Sequence, residues 1–152
     1  KILKHGGVNI GKMFPDLEGH TPELSGFGWF QGWNDLINKN CTAAYDTNMV
    51  NLIKDLRSEW NAPHLPISIA VSGQGGFENS NDVVFSQIGA ANLTRHPELE
   101  CCVVACETRG FWRDPQYSPT SRQGYHFYHN AETFFLIGKA MAKGMMKATS
   151  VQ

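Results

Sequence analysis

Leu65-Pro66-Ile67-Ser68-Ile69-Ala70-Val71 runs straight into Ser72-Gly73-Gln74-Gly75-Gly76. A β-branched apolar run entered past Pro63 and left through a glycine-rich stretch reads as a buried strand with a flexible loop at its C-terminal end. Downstream, the span from Asn81 to Arg95 has a helical pattern, with Val84, Ile88 and Ala91 on one side and Pro97 past its end. Leu99 to Cys106 is then a second continuous apolar run. Strands that are apolar on both faces belong to parallel sheets covered by helices on both sides.

Working back from Leu65, Thr42 to Trp60 places Tyr45, Met49, Leu52, Ile53, Leu56 and Trp60 at helical spacing, and Asn61-Ala62-Pro63 ends the helix. Before it, Ser25 to Phe30 is short, aromatic and punctuated by glycine, which suits a strand, and Gln31 to Asp35 reads as a loop. Residues 1–24 carry turn formers without a sustained period and read as an irregular lead-in, leaving 25–152 as the folded unit. Beyond Cys106, residues 108–128 form a connection long enough to suggest function. Asn130 then caps a helix to Ala148, with Phe134, Ile137, Met141 and Met145 at helical spacing.

The order β-α-β-α-β-α predicts a three-layer α/β/α parallel sheet with right-handed crossovers and ligand sites beyond the C-terminal ends of the strands. Three strands make a thin sheet. Either strands from elsewhere complete it or residues 1–24 contribute.

The 152 residues fit one domain. With 41% hydrophobic and 18% charged residues, the chain has the composition of a folded domain and not of a disordered one. A net charge of −1, with no block of one sign, argues against nucleic acid or anionic lipid as a primary partner. No run approaches the 18 apolar residues of a membrane helix, and Lys1 to His5 lacks the layout of a signal peptide. Cys41, Cys101, Cys102 and Cys106 form no Cys-x-x-Cys pair, and three of them lie in one apolar run, so buried thiols are expected.

The loops after the three strands hold the polar candidates. These are Gln31, Asn34 and Asp35 after the first, Ser72 and Gln74 after the second, and Glu107, Arg109, Asp114 and His126 after the third. His126, His129 and Glu132 include no third ligand at a zinc spacing, and Gly26-x-Gly28 and Gly73-x-Gly75-Gly76 miss the dinucleotide-binding register. No metal and no cofactor is expected.

Two blocks carry a resemblance. Gly26-Phe27-Gly28-Trp29-Phe30-Gln31-Gly32-Trp33-Asn34-Asp35 resembles the Trp-x-Gln-Gly block of carbohydrate acetylesterases of the sialate O-acetylesterase type, a branch of the SGNH hydrolases. Gly124 to Gly138, with Tyr125-His126-Phe127, is similar to the His-bearing C-terminal block of that family, and Cys106 to Arg113 also looks familial. The likeness runs from about residue 20 to the C-terminus.

It implies the C-terminal half of a flavodoxin-like SGNH fold and a serine esterase acting on an acetylated carbohydrate. His126 would be the general base and Gln31 an oxyanion donor, with Asp114 or Glu107 orienting His126 unless the site works as a dyad. Trp33, Asn34, Asp35, Arg109 and Trp112 would meet substrate. The family's Gly-x-Ser nucleophile block has no counterpart here and is expected upstream of residue 1; Ser72 is the nearest internal serine. Gln123 stands where the family has an Asp three residues before the His, and Trp33 stands where relatives often have Glu. The expected partners are the acetylated carbohydrate and a missing N-terminal half, or a second chain, that completes the sheet. The family and two Asn-x-Thr sequons, at Asn40 and Asn92, lean towards a secreted protein. The alternative is a non-catalytic glycan-binding or assembly protein built on the same fold.

Overall fold

A computed structural model describes residues 10–21 and 23–150. In chain order the elements are α1 (Ile10–Met13), β1 (Phe27–Trp29), α2 (Trp33–Leu36), α3 (Lys39–Glu59), β2 (Ile67–Ala70), α4 (Asp82–Gly89), β3 (Val103–Cys106) and α5 (Ala131–Thr149), joined by 3₁₀ turns. The strands form one parallel sheet in the order β1-β2-β3, with Phe27 beside Ile67 and Ile67 beside Val103.

The alternation of a strand sorts β2 between two cores. Ile67 and Ile69 are buried against Tyr45, Met49 and Ile53 of α3 and Val83 of α4. On the opposite face the Ser68 hydroxyl donates to the Met141 carbonyl of α5 at 2.9 Å, and Ala70 packs with Ile137 and Phe127. Helices therefore cover both faces, and the chain has the three-layer α/β/α architecture that its element order implies. Gly144 sets how closely α5 lies on the sheet, since a Cβ there would strike Cys106 Sγ and come within 2.9 Å of Ser68 Oγ.

Several boundaries differ from the sequence reading. Asn38 starts α3 three residues early, its side chain accepting from the N–H groups of Asn40 and Cys41 at 3.0 and 3.3 Å. Asn130 caps α5 as its spacing suggests, accepting from Thr133 N–H at 3.1 Å. The Gln31 to Asp35 loop closes into the helical turn α2. Helix α4 ends at Gly89, and its buried side carries Val83, Val84 and Gln87 while Ile88 is exposed. The connection after β3 contains three 3₁₀ turns. Within the lead-in, α1 and a turn at Pro15–Leu17 are present but no strand, and the expectation for residues 1–9 falls outside the described residues. The outer edges of β1 and β3 thus have no neighbouring strand among the described residues.

The thiol expectation needs correction at two positions. Cys101 and Cys102 are joined to each other in a disulfide, with Cys102 in the left-handed region at φ 65°. Cys106 is a buried free thiol and Cys41 a half-buried one. No helix among the described residues is long and apolar enough to cross a membrane.

Arg57 occupies a core position on α3, where its guanidinium donates to the carbonyls of Leu65, Leu99 and Cys101 at 2.6 to 3.3 Å. Burial pushes its pKa below the ordinary arginine value. Three loop carbonyls depend on this one side chain. Arg57→Met is expected to lower stability by about 2–3 kcal/mol, because it leaves those acceptors without donors. Thermal unfolding should show a fall of roughly 5–10 °C; an unchanged midpoint would mean that water replaces the guanidinium without loss.

Candidate active site

The C-terminal ends of the three strands open into a cleft of about 370 Å³. Phe30, Gln31, Trp33 and Asn34 reach it from beyond β1, Ser72 and Gln74 from beyond β2, and Tyr125, His126 and Phe127 from the connection after β3. Parallel α/β sheets place ligand clefts at this end.

The floor is a buried network centred on Gln87 of α4, a residue the sequence reading passes over. Its carbonyl oxygen accepts from the Ser72 N–H at 2.7 Å. Its amide nitrogen lies within reach of the Gln31 carbonyl (2.8 Å), Tyr45 Oη (3.0 Å) and Ser72 Oγ (3.1 Å), and its two N–H groups serve two of these at a time. Tyr45 Oη in turn donates to the Gln31 carbonyl at 2.9 Å and accepts from Trp29 Nε1 at 3.1 Å. Burial raises the Tyr45 pKa above the usual phenol value, so the ring stays a neutral brace. The signal in the sequence is an amide one turn after Val83 and Val84, on the face that should be apolar.

Gly32 lets the β1 loop pass over this floor. A Cβ at Gly32 would fall on Ser72 Oγ and lie 3.1 Å from both Gln87 Nε2 and Val83 Cγ1. The Gln31 side chain donates to Asp35 Oδ2 at 2.5 Å, an i, i+4 pairing across α2. One of its two amide hydrogens is committed there, which leaves the other for the cleft.

The far wall is clamped from below. Phe127 is 2% exposed and packs with Ala70 and Ile137. Asn130 donates to the Tyr117 carbonyl (3.0 Å) and Ser118 Oγ (3.1 Å), and Thr133 Oγ1 donates to the Phe111 carbonyl (2.7 Å). Phe127, Tyr128 and His129 all sit at positive φ, 51°, 51° and 59°. Each non-glycine residue held there costs of order 1 kcal/mol, and such strain clusters at functional sites. The result is an exposed His126 on the rim, its ring 4.6 Å from that of Tyr125.

Other sequence candidates lie apart. Glu107 pairs with Arg109, whose Nε and Nη2 donate to it at 2.9 and 2.6 Å, and these hydrogen bonds pull its pKa below the usual carboxylate value. Asp114 accepts from Trp112 Nε1 at 3.1 Å. Neither carboxylate contacts His126, because each is satisfied by a residue two positions away. Gln123, at the place of the family's acid, accepts from His129 Nε2 at 2.6 Å when that nitrogen is protonated. Ser72 lies in the cleft wall but is only 7% exposed, with its hydroxyl tied to Gln87.

A probable carbohydrate esterase of Arabidopsis thaliana is 38% identical over 56 residues, which are 36% of this chain and 22% of that protein. The match therefore spans about a fifth of that relative's length. No solved structure matches the chain. The family model for carbohydrate esterases of the sialic acid-specific acetylesterase type matches residues 10–147, which take in β1, the cleft loops, His126 and nearly all of α5. The chain belongs to that carbohydrate esterase family.

Proposed function

We propose that this chain supplies the base and one wall of a carbohydrate O-acetylesterase site. His126 accepts the proton of a serine as that serine attacks the acetyl carbonyl, then returns it to the departing sugar hydroxyl. The free N–H of Gln31 faces the developing oxyanion, helped by a loop that Gly32 and Gln87 hold rigid. The nucleophilic serine comes from a segment preceding residue 1 or from a second chain, which also pairs with an open sheet edge. The observation that carries this reading is the meeting of the Gln31–Asn34 loop and His126 in one cleft at the C-terminal ends of the strands.

A second reading has one observation in its favour. His126 has no carboxylate partner among the described residues, since Glu107 and Asp114 are engaged by Arg109 and Trp112. A glycan-binding protein without turnover would need none.

The test uses the protein isolated from its source. It is expected to release acetate from O-acetylated sugars, and a sulfonyl fluoride is expected to label a serine outside these 152 residues. This chain expressed alone is expected to release none. Labelling of Ser72, or sulfonyl-fluoride-sensitive turnover by the chain alone, would overturn the placement of the nucleophile; no acetate release from the native protein would favour the second reading.

A further inference from the structure

At the end of the sheet opposite the cleft, the segments that enter β1, β2 and β3 line a pocket of about 660 Å³. Leu24, Pro63, Leu65 and Pro66 give it an apolar lining, and Cys101 stands in its wall. The Cys101 sulfur, bridged to Cys102, lies 3.6 Å from His64 Nδ1, and Glu100 Oε2 lies 3.9 Å from that same nitrogen. A protonated imidazole beside a sulfur favours its thiolate form. None of these groups belongs to the cleft or to the network under it.

As a structural staple the bridge does little. A disulfide stabilises mainly by restricting the unfolded chain, and the effect grows with the loop that it closes. Cys101 and Cys102 are adjacent, so theirs closes the shortest loop a chain allows. Hydrogen bonds hold the turn independently of it. Arg57 donates to the Leu99 and Cys101 carbonyls at 2.6 and 2.7 Å, and the Ile67 N–H donates to the Cys102 carbonyl at 2.8 Å. The two sulfurs therefore stay neighbours when the bond between them breaks, as a bond that opens and closes requires. Their exposure divides the roles. Cys101 is half-buried on the pocket wall, whereas Cys102 is 4% exposed.

We propose that Cys101, Cys102 and His64 form a thiol–disulfide exchange site that reacts with a small dithiol through this pocket. A thiolate of the dithiol attacks Cys101 Sγ and forms a mixed disulfide there; the Cys101–Cys102 bond breaks, and Cys102 Sγ leaves with the bonding pair and takes up a proton. The second sulfur of the dithiol then attacks the first, which closes a cyclic disulfide and releases Cys101 as a thiolate beside His64, where it is protonated. The chain gains two electrons and two protons, and the dithiol loses the same. Run in reverse, a cyclic disulfide is the oxidant that closes the bridge.

The test uses the native protein, isolated without reductant and alkylated with iodoacetamide while folded, with mass spectrometry to locate the label. Neither Cys101 nor Cys102 is expected to be labelled at first. After dithiothreitol both should react, Cys101 about tenfold or more faster than the buried Cys102, and oxidised dithiothreitol should restore the bridge. His64→Ala should slow the opening by about tenfold. Cys102→Ser should trap a mixed disulfide on Cys101 when treated with bis(2-hydroxyethyl) disulfide, and Cys101→Ser should not. Labelling of both cysteines before any reductant, a bridge that opens only in denaturant, reaction of Cys102 ahead of Cys101, or an unchanged opening rate in His64→Ala would overturn the proposal. Should a variant fail to fold, the order of labelling in the unsubstituted protein decides.

Discussion

His126→Ala in the native protein is expected to cut acetate release by about 10² to 10⁴, the range that loss of a general base produces. His129→Ala is expected to stay within about threefold of the parent, as a surface substitution away from the chemistry should. The two rings are three residues apart with centroids at 6.4 Å, so position in the chain does not separate them. Their surroundings do. The His126 ring lines the cleft beside Tyr125, opposite the Gln31 loop, whereas His129 is tied to Gln123 at 2.6 Å and does not line it. Of the two, only His126 lines the cleft shared with the Gln31 loop. Initial rates of acetate release, measured at saturating and at limiting substrate, check the comparison. Equal losses for the two substitutions would show that the base has been placed wrongly.

The fold was readable where apolar character was unbroken. β3 is a continuous apolar run and β2 is one but for Ser68, because both faces of the sheet are covered, and α3 and α5 show their spacing because each lays one side on the sheet. Reading failed where a polar side chain takes a core position. Gln87 and Arg57 are both buried, and each interrupts the apolar stripe from which a helix face is inferred. Hence the apolar spacing points the buried side of α4 at Ile88, which is exposed, and away from Gln87, which is 0% exposed. Nothing local announces that an amide will find its partners on β1's loop, on α3 and after β2 at once.

The site divides in the same way. That loops after successive strands meet at one edge follows from the parallel topology, and the cleft does gather residues from all three. Which carboxylate serves which base does not follow from topology, because it depends on pairings over two to four residues. Glu107 closes on Arg109, Asp114 on Trp112, and Asp35 on Gln31. Each such pairing withdraws a candidate from the centre of the cleft. The disulfide between Cys101 and Cys102 was hidden for a related reason, since adjacent cysteines in an apolar run look like two small hydrophobes.

Gln87→Leu should be the most damaging single change outside the cleft's own walls. Leucine has nearly the volume of glutamine, so the substitution keeps the packing and removes the polar contacts. It strands the Ser72 N–H, which has Gln87 Oε1 as its side-chain acceptor at 2.7 Å, removes the donor from Ser72 Oγ, and takes one of two donors from the Gln31 carbonyl, which keeps Tyr45 Oη. Buried groups left without partners cost about 1–3 kcal/mol each, and the expected loss is about 3–5 kcal/mol. Tyr45→Phe is the control. It removes one hydroxyl from the same network, but the Gln31 carbonyl keeps its bond from Gln87, so about 1–2 kcal/mol is expected. Urea unfolding gives both values. A Gln87→Leu variant as stable as Tyr45→Phe would mean that the floor of the cleft is held by packing and that the amide network is incidental. A Gln87→Glu variant separates charge from connectivity: its second oxygen cannot donate to the Gln31 carbonyl while ionised, so stability should recover as the pH falls and the carboxyl takes up a proton.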